Sequence, residues 1–222
     1  ELESPPPLGY IPFGSTNDCA TTMKLPRKPR EAALIAAGTG VPTPIDIGLL
    51  NDTPFVYVAA FGAFTKVAYD TPQDLKNTFG HLAYIFAGIA SLPTIAPYHM
   101  AVEYDGQVLE DDFYFGMVSN SQSIGGIKPP KVEQVVLDDG LFEVTLVKKP
   151  LSLADLTDGL QALVSLSPAD RSGVLVQFQA RSLTFTSNQP IPWTVDGEFG
   201  GSQLVNRVEN RQKGLVIIKA PL

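Results

Sequence analysis

Nineteen glycines and nineteen prolines punctuate this chain of 222 residues and leave little room for long helices. Between them, segments rich in Val, Ile, Phe and Tyr alternate with turn dipeptides: Phe55 to Ala60, Tyr98 to Tyr104, Phe113 to Ser119, Leu141 to Val147, Val174 to Gln179 and Leu183 to Thr186. Six or more such segments predict a mainly β protein, a sandwich or barrel. Hydrophobic residues make up 44% and charged residues 18%, so the chain has the means to bury a core and general disorder is excluded.

The polar residues exclude several functions. Cys19 is the single cysteine, which rules out an intramolecular disulfide and a Cys/His zinc cluster and suits a reducing cytoplasm. A net charge of −7 argues against nucleic acid, whose phosphates call for clustered Lys and Arg. From Thr78 to Tyr98 no formally charged residue occurs, but Gly80, His81, Gly88, Pro93 and Pro97 interrupt the stretch, which reads as a buried amphipathic helix. Glu1 to Pro7 lack the basic and apolar regions of a signal peptide.

The first forty residues read differently from the rest. Leu8 to Phe13 is a short buried strand, Gly14 to Asp18 a polar turn, Cys19 to Met23 a helix start, and Glu31 to Ala37 a short helix ended by Gly38; a Pro/Gly-rich connector runs on to Pro44. Two helices interrupt the later β pattern. Thr71 caps the first, with Pro72 at its first position and Leu75, Phe79, Leu82, Phe86 and Ile89 on one face. Ser152 caps the second, which carries Asp155 in its first turn and Leu153, Leu156, Leu160 and Leu163 before Pro168.

Two stretches carry chemistry. In PIPWTVDGEFGG, from Pro190 to Gly201, Asp196 and Glu198 stand two apart; if strand geometry persists through the turn they share a side and can act as proton acceptor and its orienter or metal contact. The same residues also read as an Asp-Gly hairpin, and Trp193 as core. In PFGSTND, from Pro12 to Asp18, Gly14 and Ser15 allow backbone N–H groups to approach a phosphate, and Asn17 and Asp18 add an amide and a carboxylate; an Asn-Asp helix cap is the competing reading. His81 and His99 sit in no nucleophile pattern.

Taken in order, five segments resemble the diacylglycerol kinase-like bacterial lipid kinases. LGYIPFGSTNDCA (Leu8 to Ala20) is similar to their "lG-x-x-P-x-GT-x-ND-x-A" segment, FVYVAAFGAFTKVAYDT (Phe55 to Thr71) to an early strand and turn, and HLAYIFAGI (His81 to Ile89) to the following helix. SNSQSIGGIKPPKVEQVVLDDGLFEVTLV (Ser119 to Val147) resembles "N-x-GGG…P-x-A-x-x-x-DG-x-L", and TVDGE (Thr194 to Glu198) "h-x-DGE". The resemblance covers essentially the whole chain and implies transfer of the ATP γ-phosphate to a lipid hydroxyl, in a cleft between an α/β nucleotide-binding domain and a β-sandwich.

On this resemblance the expected fold is a two-layer β-sandwich with two or three short helices. Residues 1–40 are then a remnant of the nucleotide-binding domain and residues 41–222 the sandwich, its last strand returning to the N-terminal part. The family's GGDGT nucleotide loop has no counterpart, so the chain is expected to be the C-terminal part and inactive alone. The resemblance implies Glu198 as the acid/base residue and Asp196 as its neighbour. It also implies Gly14, Ser15, Asn17 and Asp18 at the ATP and Mg²⁺ side, with Asp18 facing solvent here. It implies a structural Mg²⁺ on the Asp139 carboxylate and the carbonyls of Val136 and Leu141, hard oxygen ligands that suit the ion; an Asp139-Gly140 turn is the alternative. Ser15 stands where threonine is usual, and Ala59 to Ala63 lacks the acid of the family's turn, so no role is carried onto that turn.

Diacylglycerol is the default acceptor, with other lipid alcohols as options, the acyl chain lying between apolar strands and the two helices. The setting is phospholipid metabolism by a cytoplasmic enzyme that docks transiently at a membrane, and a homodimer is compatible with it. Two rival classes are a lipid-binding β-sandwich module without catalysis and a β-sandwich interaction or carbohydrate-binding domain. Against the last, a catalytic Glu198 is expected to line a cleft.

Overall fold

A computed structural model describes residues 6–14, 17–62, 96–121, 135–152, 154, 155, 158 and 173–221. The β reading is correct. The strands are β1 (Leu8–Gly9), β2 (Val41–Leu50), β3 (Thr53–Phe55), β4 (Val58–Gly62), β5 (Tyr98–Tyr104), β6 (Gln107–Ser119), β7 (Phe142–Lys148), β8 (Leu175–Ala180), β9 (Ser182–Val195) and β10 (Glu198–Lys219). Two short helices, α1 (Asp18–Thr22) and α2 (Pro29–Leu34), lie near the N-terminus, and α2 runs on into a π-helical turn over Ile35–Thr39.

Hydrogen bonding links the strands in the order β3-β2-β10-β9-β4-β6-β7-β8, with β1 alongside β10 and β5 joined to both β6 and β9. Long strands serve both layers of the sandwich. The first part of β6 pairs with β5, its last part with β4 and β7, and a register shift between Phe113 and Phe115 marks the change. Likewise β9 pairs with β5 at Thr184 to Ser187 and with β4 at Trp193 to Val195. Between the layers, Trp193 lies 4.9 Å from Phe61 and 5.0 Å from Phe185, ring centre to ring centre, all three fully buried. Their tilted and edge-on contacts satisfy the ring quadrupoles, and together they are the centre of the core.

Differences from the sequence reading have physical causes. The connector proposed up to Pro44 is the first half of β2, where Pro42 and Pro44 face Ile218 and Val216 of β10. Only Gly48 to Leu50 of β2 meet β3, so both prolines lie where β2 has a free edge, the one place a strand tolerates a missing N–H. No run after Val195 was picked out as a strand from its own residues, yet β10 is the longest in the sheet; its polar run NRVENRQK hides it, and register shifts at Phe199/Gly201, Gln203/Val205 and Arg211/Leu215 break its alternation. The segment read as one strand from Phe55 to Ala60 bends at Val56 and Tyr57 and becomes β3 and β4. The first strand is shorter than Leu8 to Phe13, and the second helix begins at Pro29 rather than Glu31.

The N-terminal forty residues pack on the far end of β10. Leu8 pairs in parallel with Ile217, and Ala20, Met23 and Leu25 form a small cluster with Ile45 and Ile217. Of the two expected central helices, the one from Thr71 lies outside the described residues, as do Gly80, His81, Gly88 and Pro93 of the uncharged stretch. For the second, the Asp155 N–H donates to Ser152 Oγ at 3.1 Å, the cap bond expected of that serine. No helix among the described residues is long and apolar enough to cross a membrane.

Candidate active site

The two sequence stretches singled out for chemistry meet at one corner. Asp196 and Gly197 are the two-residue turn between β9 and β10, with φ of 49° and 95°, the left-handed pair that a tight hairpin requires and that an Asp-Gly dipeptide supplies. Strand alternation therefore does not run through the turn, and Asp196 does not share a side with Glu198 for the reason first given. Instead the Asp196 carboxylate turns onto the bend between β3 and β4. Its Oδ2 accepts the Val56 N–H at 2.8 Å, and its Oδ1 accepts the Tyr57 and Val58 N–H groups at 3.0 and 2.9 Å. The Asp196 N–H in turn donates to the Val58 carbonyl at 2.9 Å. These bonds fix the bend and the hairpin to each other.

Tyr57 connects this clamp to the second stretch. Its hydroxyl donates to Asp18 Oδ2 at 3.0 Å, so one residue touches both carboxylates, Asp196 through its backbone and Asp18 through its side chain. Asp18 is buried at the start of α1, which corrects the expectation that it faces solvent. Tyr57 covers it. The following Cys19 records the same convergence: burial first, then the charges of Asp196 and Asp18, push its thiol up to about 11, so the thiol beside these acids is held protonated at neutral pH.

Asn17 occupies the helix N-cap position with a left-handed backbone, φ 53°, but its side chain makes no cap bond, so the helix-cap reading is not realised. Its Oδ1 is buried without a partner among the described residues, and a Cβ on Gly14 would approach that oxygen to 3.1 Å. Gly14 itself is exposed, next to an exposed Phe13, and Ser15 lies outside the described residues. Glu198 opens β10 opposite Val195 and is exposed, so among the described residues the expectation that it lines a cleft is not met, and its carboxylate has no hydrogen-bond or ion-pair partner there. It is thus the free carboxylate of the corner, next to one fully engaged by backbone.

The loop before β7 forms a second centre. Asp139 Oδ1 accepts the Leu141 N–H at 2.9 Å, so the local turn reading of Asp139-Gly140 is correct, and Gly140 takes a φ of 83° that favours glycine. Sequence reasoning missed what anchors this loop. Asp46, fully buried on β2, accepts the Gly140 N–H on Oδ2 at 2.6 Å, the Asn210 amide on Oδ2 at 3.3 Å and the Lys213 N–H on Oδ1 at 2.7 Å. The Asp46 N–H donates to the Leu137 carbonyl at 2.7 Å, and the buried Asn120 donates to the same carbonyl at 3.1 Å. The signal was a lone acid within the apolar run PIDIGLL, which only a partnered burial makes affordable.

Glu143, on β7, is the loop's electrostatic neighbour. Its Oε1 accepts from Gln179 at 3.1 Å, while Oε2 is buried with no partner among the described residues. Burial pushes its carboxyl up to about 7, against the Gln179 bond and with a contribution from the Asp139 charge. Because the folded state holds this proton more tightly than the unfolded chain does, stability is greatest below the ordinary value of 4.5 and falls as pH rises to about 7, then levels. Melting curves in metal-free buffer between pH 4.5 and 8 are expected to fall over that window, and less steeply in Glu143→Gln; equal slopes in the two proteins would contradict this assignment.

Among the described residues no group of three or more His, Cys, Asp or Glu side chains converges as a metal site. A cation at the Asp139 loop would therefore rely on main-chain oxygens, such as those of Val136 and Leu141. The residues fit one: Asp139 and Glu143 lie within electrostatic reach of each other, and a cation there would displace the proton that burial holds on Glu143. His99 is exposed on β5, between Asp112 at 2.9 Å and Glu110 at 3.2 Å, and belongs to neither centre.

With this geometry established, similarity to known proteins defines the class. Residues 58–217 match the YegS C-terminal NAD kinase beta sandwich-like domain, and residues 1–50 match the diacylglycerol kinase catalytic domain. The chain belongs to the diacylglycerol kinase-like lipid kinase family. It is 31% identical over 200 residues to the diacylglycerol kinase of Bacillus subtilis strain 168, covering 90% of this chain and 65% of that protein. Against the diacylglycerol kinase of Staphylococcus carnosus strain TM300 the identity is 32% over 208 residues, covering 93% and 66%. The chain thus spans slightly less than two thirds of the length of these relatives. A crystal structure of a diacylglycerol kinase from Bacillus anthracis strain Sterne has the same fold, with a TM-score of 0.70 at 24% identity over 99% of this chain and 69% of that one.

Proposed function

We propose that this chain is the acceptor side of a kinase that moves the ATP γ-phosphate onto the hydroxyl of diacylglycerol or a related lipid alcohol. Glu198 is the proton acceptor. As the hydroxyl oxygen bonds to the γ-phosphorus and the bond to the ADP oxygen breaks, the hydroxyl proton passes to the Glu198 carboxylate, which stands next to the corner and is not committed to any other partner. Asp196 is a positioning residue in this scheme, because its oxygens are taken by the three N–H groups of Val56, Tyr57 and Val58. Gly14, Ser15 and Asn17 lie on the nucleotide side in this scheme, with the buried Asp18 beside them and held by the Tyr57 hydroxyl. Bound Mg²⁺ supplies charge compensation for the phosphate oxygens.

One observation carries the reading: Tyr57 ties Asp18 and Asp196 into one corner beside Glu198, which has no partner among the described residues. The sandwich of residues 41–222 is the lipid domain, working at a membrane surface from the cytoplasm. The test is incubation of the full-length gene product with labelled ATP, magnesium and a panel of lipid alcohols. Label is expected in phosphatidic acid; binding of lipid without label in any of them would make this a lipid-binding module instead.

A structural Mg²⁺ on Asp139, with the Val136 and Leu141 carbonyls, is part of the same proposal. Asp139→Ala is expected to lower the melting temperature and to remove the rise that magnesium gives the parent protein. A melting curve indifferent to magnesium in both proteins would eliminate the ion.

A further inference from the structure

The backbone of Tyr57 is pinned from two directions. Its N–H donates to Asp196 Oδ1 at 3.0 Å, and its carbonyl accepts the N–H of Asn120, the residue directly after β6, at 3.2 Å. With the main chain held between the hairpin and the sandwich, the rigid ring carries its hydroxyl to Asp18 Oδ2, 3.0 Å away.

The helix on the other side of that bond does not hold itself. α1 has five residues, too few to be stable alone, and its N-cap makes no side-chain bond. Ala20 and Met23 seat it against Ile45 and Ile217, but apolar packing is non-directional and sets its depth more than its rotation. Directed bonds act at its two ends: Tyr57 on Asp18 at the start, and Thr22 Oγ1 with Ser121 Oγ, buried and 2.8 Å apart, at the finish. A carboxylate also turns easily about its last torsion, whose well is broad, and a charge-assisted bond from a phenol removes that freedom. Asp18 thus takes its direction from Tyr57. Cys19, next in the chain, records the result, since the charges of both Asp196 and Asp18 add to burial in holding its thiol protonated.

We propose that Tyr57 is a positioning residue for phosphoryl transfer: its hydroxyl holds the Asp18 carboxylate in one orientation relative to the hairpin that carries Glu198, so that the nucleotide side and the acceptor side of the site are aligned before substrates bind. This rests on the kinase reading above. Tyr57→Phe keeps the ring and removes only the hydroxyl. In the full-length gene product, assayed well below its melting transition, Tyr57→Phe lowers kcat for dioctanoylglycerol at saturating ATP and magnesium by about tenfold, the scale of one hydrogen bond to a charged group. The KM for the lipid is unchanged, the split expected of an alignment lost in the transition state and not of a general loosening. Cys19 gives a second readout that does not depend on turnover. Its alkylation by iodoacetamide, followed on the Cys19 peptide by mass spectrometry in the absence of nucleotide, is about fivefold faster in Tyr57→Phe, because a released Asp18 loosens the start of α1 and uncovers the thiol. An unchanged kcat, a loss carried by the lipid KM instead, or an unchanged rate of Cys19 alkylation would each overturn the proposal. Absence of transfer by the parent protein would end the kinase reading alone, since alkylation still decides whether the hydroxyl holds Asp18.

Discussion

Glu198→Gln is expected to reduce phosphoryl transfer to diacylglycerol by a factor of about a hundred or more while leaving the melting temperature unchanged. The substitution keeps size and shape and removes only the ability to take a proton, a contribution of about 10²–10⁴ to rate in general-base catalysis. Stability should not respond, because Glu198 is exposed and has no partner among the described residues, and such surface changes cost within about 0.5 kcal/mol. Activity and stability thus separate at this residue. Near-normal turnover in Glu198→Gln would reject the proton-acceptor role, and a large fall in melting temperature would show that the carboxylate holds structure instead.

The opposite separation is expected at Asp46. Asp46→Ala leaves the Gly140 and Lys213 N–H groups and the Asn210 amide without their acceptor inside the protein. Stranding such buried groups costs about 3–5 kcal/mol, and for a chain of this size that corresponds to a fall of roughly 10 °C in melting temperature. Asp46→Asn is not a rescue: Oδ1 and Oδ2 both accept from backbone N–H groups, so either orientation of the amide sets its NH₂ against a donor. Both variants are expected to loosen residues 137–140, readable as faster amide exchange at Gly140. A melting temperature within two or three degrees of the parent protein would mean that water replaces these bonds, contrary to the burial of the group.

These two residues also illustrate what can be read from sequence. The turn beside Glu198 was legible, since Asp-Gly is a local hairpin pattern, while the role proposed for Glu198 comes from the resemblance alone. Asp196 was legible as a turn residue but not as a clamp, because its partners Val56 to Val58 lie some 140 positions away and are backbone groups, which leave no trace in side-chain types. Tyr57 was hidden inside a strand reading that ran straight through its bend. Asp46 was overlooked for the same reason as Asp196: its partners are 94 to 167 positions distant. Strands with apolar alternation, such as β5, were found to the residue; β10 was not, because much of its length is exposed on both faces and its bulges interrupt the period on which such readings depend.

The most direct measurement of the central claim is a crystal structure of the full-length gene product with diacylglycerol and a non-hydrolysable ATP analogue. The account predicts the lipid hydroxyl oxygen about 3 Å from a Glu198 carboxylate oxygen, on the line to the γ-phosphorus, with Asp196 still holding the Val56 to Val58 bend. A hydroxyl bound away from the hairpin, with Glu198 turned into solvent, would contradict it.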